Sequence, residues 1–311
     1  MTEKIQDLII IGAGPSSLSA AIYTTREDID TLIYEKLTIG GMAAVTDHID
    51  NYPGFPEGID GFSLTDRFRQ QAERFGAKIE VGDVTSIRDE GDFKVVTVNG
   101  TDKKAKAVLV ATGSVNNKLN VSGEAEYYGR GVHYCATCDG AFYRGRRIAV
   151  IGGGNSAVQE AIFLTRFASH IDLIVRSTVK ASEILQNDLQ KFVDEGKITV
   201  HIGSVTDEIM ATDGKISSVR VTKDGKEELI ETDGVFVFAG LRPNTAFLAG
   251  SGVELDELGF IKTDLNLQTN IPGIFASGDV RSGATMQIAS SVGEGATAAL
   301  SIREYLHTIN K

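Results

Sequence analysis

The chain has 311 residues, of which 42% are apolar and 23% are charged, and its formal net charge is −11. This composition is ordinary for a globular protein large enough for two domains, and the acidic balance argues against nucleic acid or an anionic membrane as a partner, because little positive charge is available for phosphates. No stretch approaches the ~20 apolar residues of a membrane span or resembles a secretory signal, so we expect a cytoplasmic protein.

The first predicted element is a strand–turn–helix unit with the sequence DLIIIGAGPSSLSAAIYTTRE. Its turn contains Gly12 and Gly14: the first glycine permits a tight turn, and the second lets the backbone approach a pyrophosphate. The helix that follows offers free N–H groups to the same anion. The next strand, TLIYEK, ends at Glu35, about where an acid binds the ribose hydroxyls of a dinucleotide. The pattern predicts a dinucleotide site with Glu35 at the ribose. The alternative is that Glu35 only ends the strand.

Two cysteines, Cys135 and Cys138, come next in the segment HYCATCDG and are the only cysteines of the chain. A Cys-x-x-Cys pair closes a short disulfide that often exchanges readily. A zinc site needs further ligands, and the five histidines show no suitable spacing. Inert buried thiols are the remaining alternative, and the neighbouring His133 is expected to be structural. The pair is therefore predicted to be redox-active.

The second strand–turn–helix unit, RIAVIGGGNSAVQEAIFLTRF, repeats the first pattern with Gly152, Gly153 and Gly154 in its turn. Its next strand ends at Arg176, where no carboxylate stands. An arginine suits the additional 2′-phosphate of NADPH, and a solvated arginine after an edge strand is the alternative. The two units are therefore predicted to bind different dinucleotides.

The chain is predicted to cross between two domains twice. The turn ATG at 111–113 ends a strand and leads into a polar stretch, and a second crossing lies near AGLRPNT at 239–245. The segment TNIPGIFASGDV and the final helix then return to the first domain. We predict an α/β fold with two Rossmann-like, three-layer dinucleotide-binding domains, the second inserted in the first: residues 1–114 with 244–311, and residues 115–243.

Six motifs follow one another in the order of a known family: GAGP (12–15), DNYPGFPEGI (50–59), ATG (111–113), CATCDG (135–140), GGGNSA (152–157) and GIFASGDV (273–280). On these motifs the sequence resembles the low-molecular-weight thioredoxin reductases, which are FAD-dependent pyridine nucleotide-disulfide oxidoreductases. The resemblance implies that electrons pass from NADPH through FAD to the Cys135–Cys138 disulfide, and then to thioredoxin or a thioredoxin-like protein. Asp139 would supply the proton that a leaving thiolate needs, and the chain would form a homodimer.

The resemblance also implies a set of cofactor-binding residues. The FAD-binding domain (1–114 and 244–311) would use Gly12, Gly14, Pro15, Ser16, Glu35, Lys36, Gly41, Met42, Asn51, Val84, Ala111, Thr112, Gly113, Gly278, Asp279, Gln287 and Ile288. The NAD(P)H-binding domain (115–243), which carries the cysteine pair, would use Gly152, Gly154, Asn155, Ser156, Arg176 and Lys180. Two positions near the flavin depart from the family: Met42 stands where glutamine is usual, and Met286 where a basic residue is usual.

The donor site departs furthest from the family. Its NADPH-using members carry a histidine and two arginines at the end of this strand and another arginine four residues later, where this chain has Val175-Arg176-Ser177 and Ala181. Because no acid replaces them, we predict a weakly selective site, with NADPH as first choice and NADH or a non-nucleotide donor such as ferredoxin as the alternative. Arginines at positions 177 and 181 are expected to sharpen the preference for NADPH. Two other functions stay open: a reductase serving a peroxiredoxin, and a flavin-binding redox sensor without fast turnover.

Overall fold

A computed structural model describes residues 5–46 and 48–309 of the chain. The chain divides into two compact units: unit 1, Met1–Val115 with Arg242–Lys311, and unit 2, Asn116–Leu241. Each unit combines parallel strands with helices, so the predicted α/β class is confirmed. Within the described residues, no helix is both long and apolar enough to cross a membrane.

The first part of unit 1 contains six strands and three helices. The strands are β1 (Gln6–Ile11), β2 (Thr31–Glu35), β3 (Lys78–Val81), β4 (Val84–Asp89), β5 (Lys94–Val98) and β6 (Thr101–Val110). The helices are α1 (Pro15–Arg26), α2 (Gly41–Ala44) and α3 (Gly61–Arg74). The short strand β7 (Ser114–Asn116) then lies at the boundary of the two units.

Unit 2 contains eight strands and three α-helices among the residues that the structure describes. They follow the chain as β8 (Val132–His133), α4 (Ala136–Asp139), a 3₁₀ turn (Gly140–Tyr143), β9 (Arg147–Ile151), α5 (Asn155–Leu164), β10 (His170–Val175), α6 (Glu183–Asp194), β11 (Ile198–Ile202), β12 (Ser204–Thr212), β13 (Lys215–Lys223), β14 (Lys226–Glu231) and β15 (Val235–Val237). The chain returns to unit 1 through β16 (Leu241–Pro243), a 3₁₀ turn (Ala246–Leu248), β17 (Ile274–Ala276) and α7 (Ile288–Ile309).

The sheet of unit 1 has the strand order β3-β2-β1-β6-β5-β4, and β17 also pairs with β6. Its side chains alternate between two cores, because successive residues of a strand point to opposite faces. Leu8 and Ile10 pack with α1 and α7, whereas Ile9 and Ile11 pack in the second core. Strands β1, β2 and β6 run parallel, so the turns that follow them meet at one edge of the sheet.

Unit 2 is built on a parallel sheet of order β11-β10-β9-β15-β8, accompanied by the antiparallel sheet β12-β13-β14. Strand β9 is central: Ile151, its last residue, pairs with Ile174 of β10 and Val237 of β15. The turns after β9, β10 and β15 therefore meet at one edge. This edge holds the second glycine turn and the predicted donor residues.

Candidate active site

The first glycine turn leads from β1 into α1. Gly12 has a φ of 93°, and a Cβ at this position would lie 2.6 Å from the carbonyl oxygen of Ala111. Only glycine fits there without strain. Gly14 is the N-cap of α1, Pro15 begins the helix, and a Cβ on Gly14 would meet no protein atom within 4 Å. The turn therefore presents an open space in front of a helix N-terminus, where an anion fits.

Glu35, at the end of β2, ties this strand to the glycine turn. Its Oε2 accepts a hydrogen bond from the Ala13 N–H at 2.7 Å, and its Oε1 accepts one from the Leu37 N–H at 2.8 Å. The next residue, Lys36, forms an exposed ion pair with Asp83, with 2.9 Å between Nζ and Oδ2. The predicted ribose acid thus lies beside the predicted pyrophosphate turn.

The third turn at this edge follows β6. The Ala111 N–H donates to the Ile11 carbonyl at 2.9 Å, which holds the turn next to β1. Asn244, a residue for which the sequence gives no signal, fixes the other side. It accepts a hydrogen bond from Thr112 Oγ1 at 2.8 Å through its carbonyl, and its N–H donates to the Gly113 carbonyl at 3.0 Å.

The return segment contacts α1 through a pair of serines and contacts α7 through a half-buried ion pair. The Oγ atoms of Ser16 and Ser277 lie 2.6 Å apart. The Gly278 N–H donates to Glu294 Oε2 at 2.8 Å, and Arg281 binds the same carboxylate with 2.6 Å between Nη2 and Oε1. Glu294 is not predicted from the motifs, although its place in GEG near the start of the last helix is a signal that could have indicated it.

Asp279 is held beside these residues in a low-polarity setting. Burial raises the pKa of its carboxyl, a hydrogen bond from Ser291 at 3.1 Å opposes the rise, and the charge of Glu294 adds to it. Because burial disfavours the charged form of this carboxyl, hydrogen bonds from a bound polar ligand would stabilise that form.

Two further predicted residues meet across 236 positions of sequence: Asn51 Nδ2 donates to Gln287 Oε1 at 3.1 Å. Met286, which precedes this glutamine, has a φ of 58°, and its sulfur lies 4.0 Å from Ser114 Oγ. The other predicted residues of unit 1 lie at the starts of helices and strands. Gly41 begins α2 and Met42 is exposed on it, Val84 is the buried first residue of β4, and Ile288 begins α7.

The second glycine turn, in unit 2, repeats the geometry of the first. Gly152 has a φ of 147°, and a Cβ there would overlap the carbonyl oxygen that follows β15. Gly154 is the N-cap of α5, and a Cβ on it would meet no protein atom within 4 Å. Asn155 Oδ1 accepts a hydrogen bond from the Ser182 N–H at 2.8 Å, while Ser156 is exposed on the first turn of α5.

The loop after β10 is fastened to this turn through backbone atoms. The Lys180 N–H donates to the Gly153 carbonyl at 2.6 Å, and the side chains of Arg176 and Lys180 are exposed. Ala181 is different, because only 5% of it is exposed and it packs in the core of unit 2. The expectation that an arginine at 181 would sharpen donor preference stays a prediction, and the burial of Ala181 means that the larger side chain would require the loop to repack. Ser177 is exposed and stays a suitable position.

The two cysteines form the disulfide Cys135–Cys138 across the short helix α4. Cys135 is the N-cap of this helix, and its Sγ accepts a hydrogen bond from the Cys138 N–H at 3.1 Å. Cys135 is half-buried and Cys138 is exposed. Gly140 follows the pair because a Cβ there would lie 2.7 Å from the Leu164 side chain. The motif therefore sits tightly on α5.

Three polar side chains, in contact one after another, follow from the residue next to the disulfide: Asp139, His133 and Tyr143. Asp139 ends α4, and its Oδ2 lies 3.3 Å from Nδ1 of His133. Nε2 of His133 lies 2.7 Å from the Tyr143 hydroxyl, and burial raises the pKa of Tyr143 to about 12. The predicted acid is thus in contact with a buried histidine.

The residue before the pair is anchored as well. The Tyr134 hydroxyl donates to Glu124 Oε1 at 2.7 Å, and burial, followed by this contact, raises the pKa of Tyr134. The buried Glu124 also accepts hydrogen bonds from the N–H groups of Leu119 and Asn120, at 2.8 and 2.7 Å. No sequence motif indicates Glu124, because its partners are backbone groups that any residue carries.

Comparison with known proteins places this geometry in a family. The family described as "Pyridine nucleotide-disulphide oxidoreductase" matches residues 6–295. The chain belongs to this family. It is 42% identical to a thioredoxin reductase of Listeria innocua over 99% of this chain and 96% of the relative, and 39% identical to that of Bacillus subtilis over 99% and 97%. The crystal structure of a thioredoxin reductase from Streptococcus pyogenes matches with a TM-score of 0.92 and 37% identity, over 99% of this chain and all of that one.

These likenesses confirm the predicted family, the predicted fold with two dinucleotide-binding domains, and the predicted enzyme of the thioredoxin reductase type. The family works with a flavin and a pyridine nucleotide. Both glycine turns fit such groups, since each leaves open space before a helix whose first N–H groups have no intrahelical partner. Which residues contact which cofactor stays a prediction.

Proposed function

We propose that this chain reduces the disulfide of thioredoxin, or of a thioredoxin-like protein, as a cytoplasmic homodimer with FAD on unit 1 and NADPH on unit 2. The observation that carries the proposal is the Cys135–Cys138 disulfide, formed by the only cysteines of the chain in a protein with two open dinucleotide turns. The names of the relatives support the protein substrate, and they favour a reductase over a redox sensor.

The FAD site is proposed on the three turns at the edge of the unit 1 sheet. Gly12, Gly14 and Pro15 would take the pyrophosphate, and Glu35 the adenosine ribose. Asp279 would hold the ribityl–pyrophosphate region, since its desolvated carboxyl follows Gly278 directly and is held by Ser291 at 3.1 Å. The other proposed contacts are Ser16, Lys36, Gly41, Met42, Asn51, Val84, Ala111, Thr112, Gly113, Gly278, Gln287 and Ile288.

The pyridine nucleotide site is proposed on the second turn. Gly152 and Gly154 would admit the pyrophosphate, with Asn155 and Ser156 at the helix start. The exposed cations Arg176 and Lys180 would face the 2′-phosphate of NADPH. Nothing negative follows β10 to accept the ribose hydroxyls of NADH, because the strand is followed by Arg-Ser-Thr-Val-Lys. This difference favours NADPH.

When bound, the flavin supplies the two-electron exchange between the pyridine nucleotide and the disulfide. The chain's own chemistry begins with the dithiol of Cys135 and Cys138. One thiolate attacks the partner disulfide, a mixed disulfide forms, and the partner's leaving sulfur departs with the electron pair of the broken bond. The second cysteine then attacks the mixed disulfide, which restores Cys135–Cys138 and releases the reduced partner.

Asp139 is the proposed proton donor to the leaving thiolate. It immediately follows Cys138, and its N–H donates to the Cys135 carbonyl at 3.2 Å, so its position is fixed relative to the pair. A thiolate that receives a proton is a better leaving group than a free thiolate.

A donor screen tests the proposal. The purified protein, reconstituted with FAD, is given oxidised thioredoxin with NADPH, NADH or reduced ferredoxin in turn. We expect a yellow protein that reduces thioredoxin with NADPH, and with NADH less well. A colourless protein that takes up no FAD, or one that reduces thioredoxin with none of the three donors, would contradict the proposal.

A second candidate donor follows from one observation. Because Ala181 is buried and Ser177 is short, Arg176 is the only arginine that the described loop offers to a 2′-phosphate. A charge-assisted contact is worth about 1.5–3 kcal/mol, so losing further arginines weakens selectivity markedly. NADH is therefore the second candidate donor, and the same screen decides between the two.

A further inference from the structure

His133 stands out among the residues that the proposed mechanism does not use. It is 7% exposed, it ends β8, and its backbone pairs with Phe236 of β15. Both ring nitrogens are engaged: Nδ1 lies 3.3 Å from Asp139 Oδ2, and Nε2 lies 2.7 Å from the Tyr143 hydroxyl. The rings of Tyr143 and Phe236 flank the imidazole, with centroids at 5.4 and 5.2 Å.

We propose that His133 is a positioning residue for Asp139, that it shares the proton which Asp139 delivers, and that Tyr143 fixes the orientation of the imidazole. The proposal rests on the proposed function, in which Asp139 acts as the acid. It replaces the expectation that His133 is only structural.

The pair Asp139–His133 can hold one proton in two equivalent ways. Either the carboxylic acid donates to a neutral imidazole, or an imidazolium donates to the carboxylate, and the pair is neutral in both forms. When the proton passes to the leaving thiolate, that sulfur becomes a neutral thiol and the pair acquires one negative charge. The carboxylate left behind carries that charge, and the imidazole keeps its Nε2–H, which donates to the Tyr143 hydroxyl. Solvent then returns the proton.

The surroundings suit this role because few other groups compete for the proton. The apolar ring of Phe236 covers the imidazole from β15. Tyr143 keeps its proton, because burial raises its pKa to about 12 and the charges of Asp139 and Asp233 act in the same direction, against Arg146. The hydroxyl is therefore a permanent partner for Nε2 and not a second acid.

The test uses two small disulfides that differ in their leaving group. The reduced, flavin-loaded protein is mixed with bis(2-hydroxyethyl) disulfide, whose alkyl thiolate leaves poorly, and separately with 5,5′-dithiobis(2-nitrobenzoate), whose aromatic thiolate leaves without a proton. We expect His133→Leu to slow exchange with the first about tenfold to a hundredfold, up to the lower end of the roughly 10²–10⁴-fold that general acid catalysis contributes, because His133 acts through Asp139. Exchange with the second should slow by less than about twofold. His133→Gln, which keeps the hydrogen bonds but holds no proton, should recover part of the loss.

A double-mutant comparison gives a second readout. If His133 acts through Asp139, His133→Leu adds nothing in an Asp139→Asn background, because interacting residues are not additive. The control is His307→Leu, the same change at an exposed histidine of α7, which should leave both rates unchanged. Equal slowing with both disulfides, or an additive effect with Asp139→Asn, would overturn the proposal.

A failure of the proposed function can be distinguished from a failure of the His133 proposal, because the small disulfides react with the cysteine pair directly and do not require thioredoxin. A protein that shows the expected His133 effect but does not reduce thioredoxin would contradict the proposed substrate and support the positioning role. If the His133→Leu variant reduces thioredoxin at the wild-type rate over pH 6–9, the positioning role is contradicted and the proposed substrate is not.

Discussion

The two glycine turns share one backbone design and differ in what surrounds it. In unit 1 the carboxylate of Glu35 returns to the turn and accepts the Ala13 N–H at 2.7 Å. In unit 2 the strand after the turn ends without an acid, and a backbone bond from Lys180 to Gly153, at 2.6 Å, fastens the loop in its place. The first turn is thus flanked by a fixed negative charge, and the second by the exposed cations of Arg176 and Lys180.

The difference shows which part of such a module determines what it binds. The glycines and the helix start are required for the turn itself and would be alike for any pyrophosphate. In the proposed sites, selectivity comes from the end of the second strand, where the two units differ in side-chain charge. Two copies of one frame can therefore serve two dinucleotides in one chain.

The largest expected effect comes from placing a side chain in either turn. Gly12→Ala and Gly152→Ala each force a Cβ against a carbonyl oxygen at positive φ, which costs at least roughly 1–2 kcal/mol from the backbone alone. We expect Gly12→Ala to lose FAD and its colour, and Gly152→Ala to keep FAD but lose reduction by the pyridine nucleotide. Absorbance and stopped-flow flavin reduction measure both. Gly14→Ala and Gly154→Ala are the stability controls, because their Cβ atoms meet no protein atom within 4 Å; equal loss of stability in all four variants would be a contrary result.

The next effect concerns the acid that only the first turn has. Glu35→Ala removes the acceptor of the Ala13 N–H, a charge-assisted bond of about 1.5–3 kcal/mol, so FAD affinity should fall roughly tenfold to a hundredfold. Fluorescence titration of the flavin-free protein measures it. Lys191→Ala breaks only an exposed ion pair with Asp188 on α6 of unit 2, worth about 0–1 kcal/mol, and serves as the control. FAD binding that is unchanged in Glu35→Ala would show that the carboxylate organises the turn without aiding the ligand.

A smaller effect is expected at the loop of the second turn. Arg176→Ala should raise the KM for NADPH about tenfold and leave that for NADH nearly unchanged, because only NADPH carries the 2′-phosphate. Ser177→Arg, at an exposed position, should shift the ratio of kcat/KM values the other way. Ala181→Arg is the contrasting variant, in which a gain in selectivity comes only with a loss of stability, because Ala181 is buried. A parallel change for both nucleotides in Arg176→Ala would remove the argument for NADPH.

The smallest effect is a pH dependence carried by Asp279. Burial raises the pKa of this carboxyl above its unfolded value, so its contribution to stability is complete below the unfolded pKa of about 3.9 and is lost as pH rises through the folded pKa. Asp279→Asn, which cannot ionise, should remove this loss. Urea unfolding of the flavin-free protein between pH 3 and 7 should show a flatter stability profile in the variant. A steeper profile would mean that the carboxylate is stabilised in the fold.

The motifs predicted from sequence are those in which a residue type is required by geometry. Gly12, Gly152 and the Cys-x-x-Cys pair belong to this class, because no other residue fits the turn or forms the bond. Glu124 and Asn244 do not, since they bind backbone N–H and carbonyl groups whose positions only the folded chain defines. The burial of Ala181 could not be predicted from the sequence either. A short loop has no hydrophobic periodicity that indicates which of its residues face the core.

His133 shows the same limit near the cysteines. From the sequence we expect His133 to be a structural residue, and its burial agrees with that. The contact with Asp139 forms because α4 brings the carboxylate close to His133 of β8. The sequence of this four-residue helix does not predict that contact.

The central claim, that electrons leave through Cys135 and Cys138, is tested most directly by replacing each cysteine with serine in the FAD-loaded protein. Flavin reduction by NADPH and reduction of thioredoxin are followed in the same rapid-mixing experiment. We expect both Cys135→Ser and Cys138→Ser to reduce the flavin at the wild-type rate and to reduce no thioredoxin, because a single thiol cannot reform the disulfide that releases the partner. Thioredoxin reduction at the wild-type rate in either variant would contradict the account.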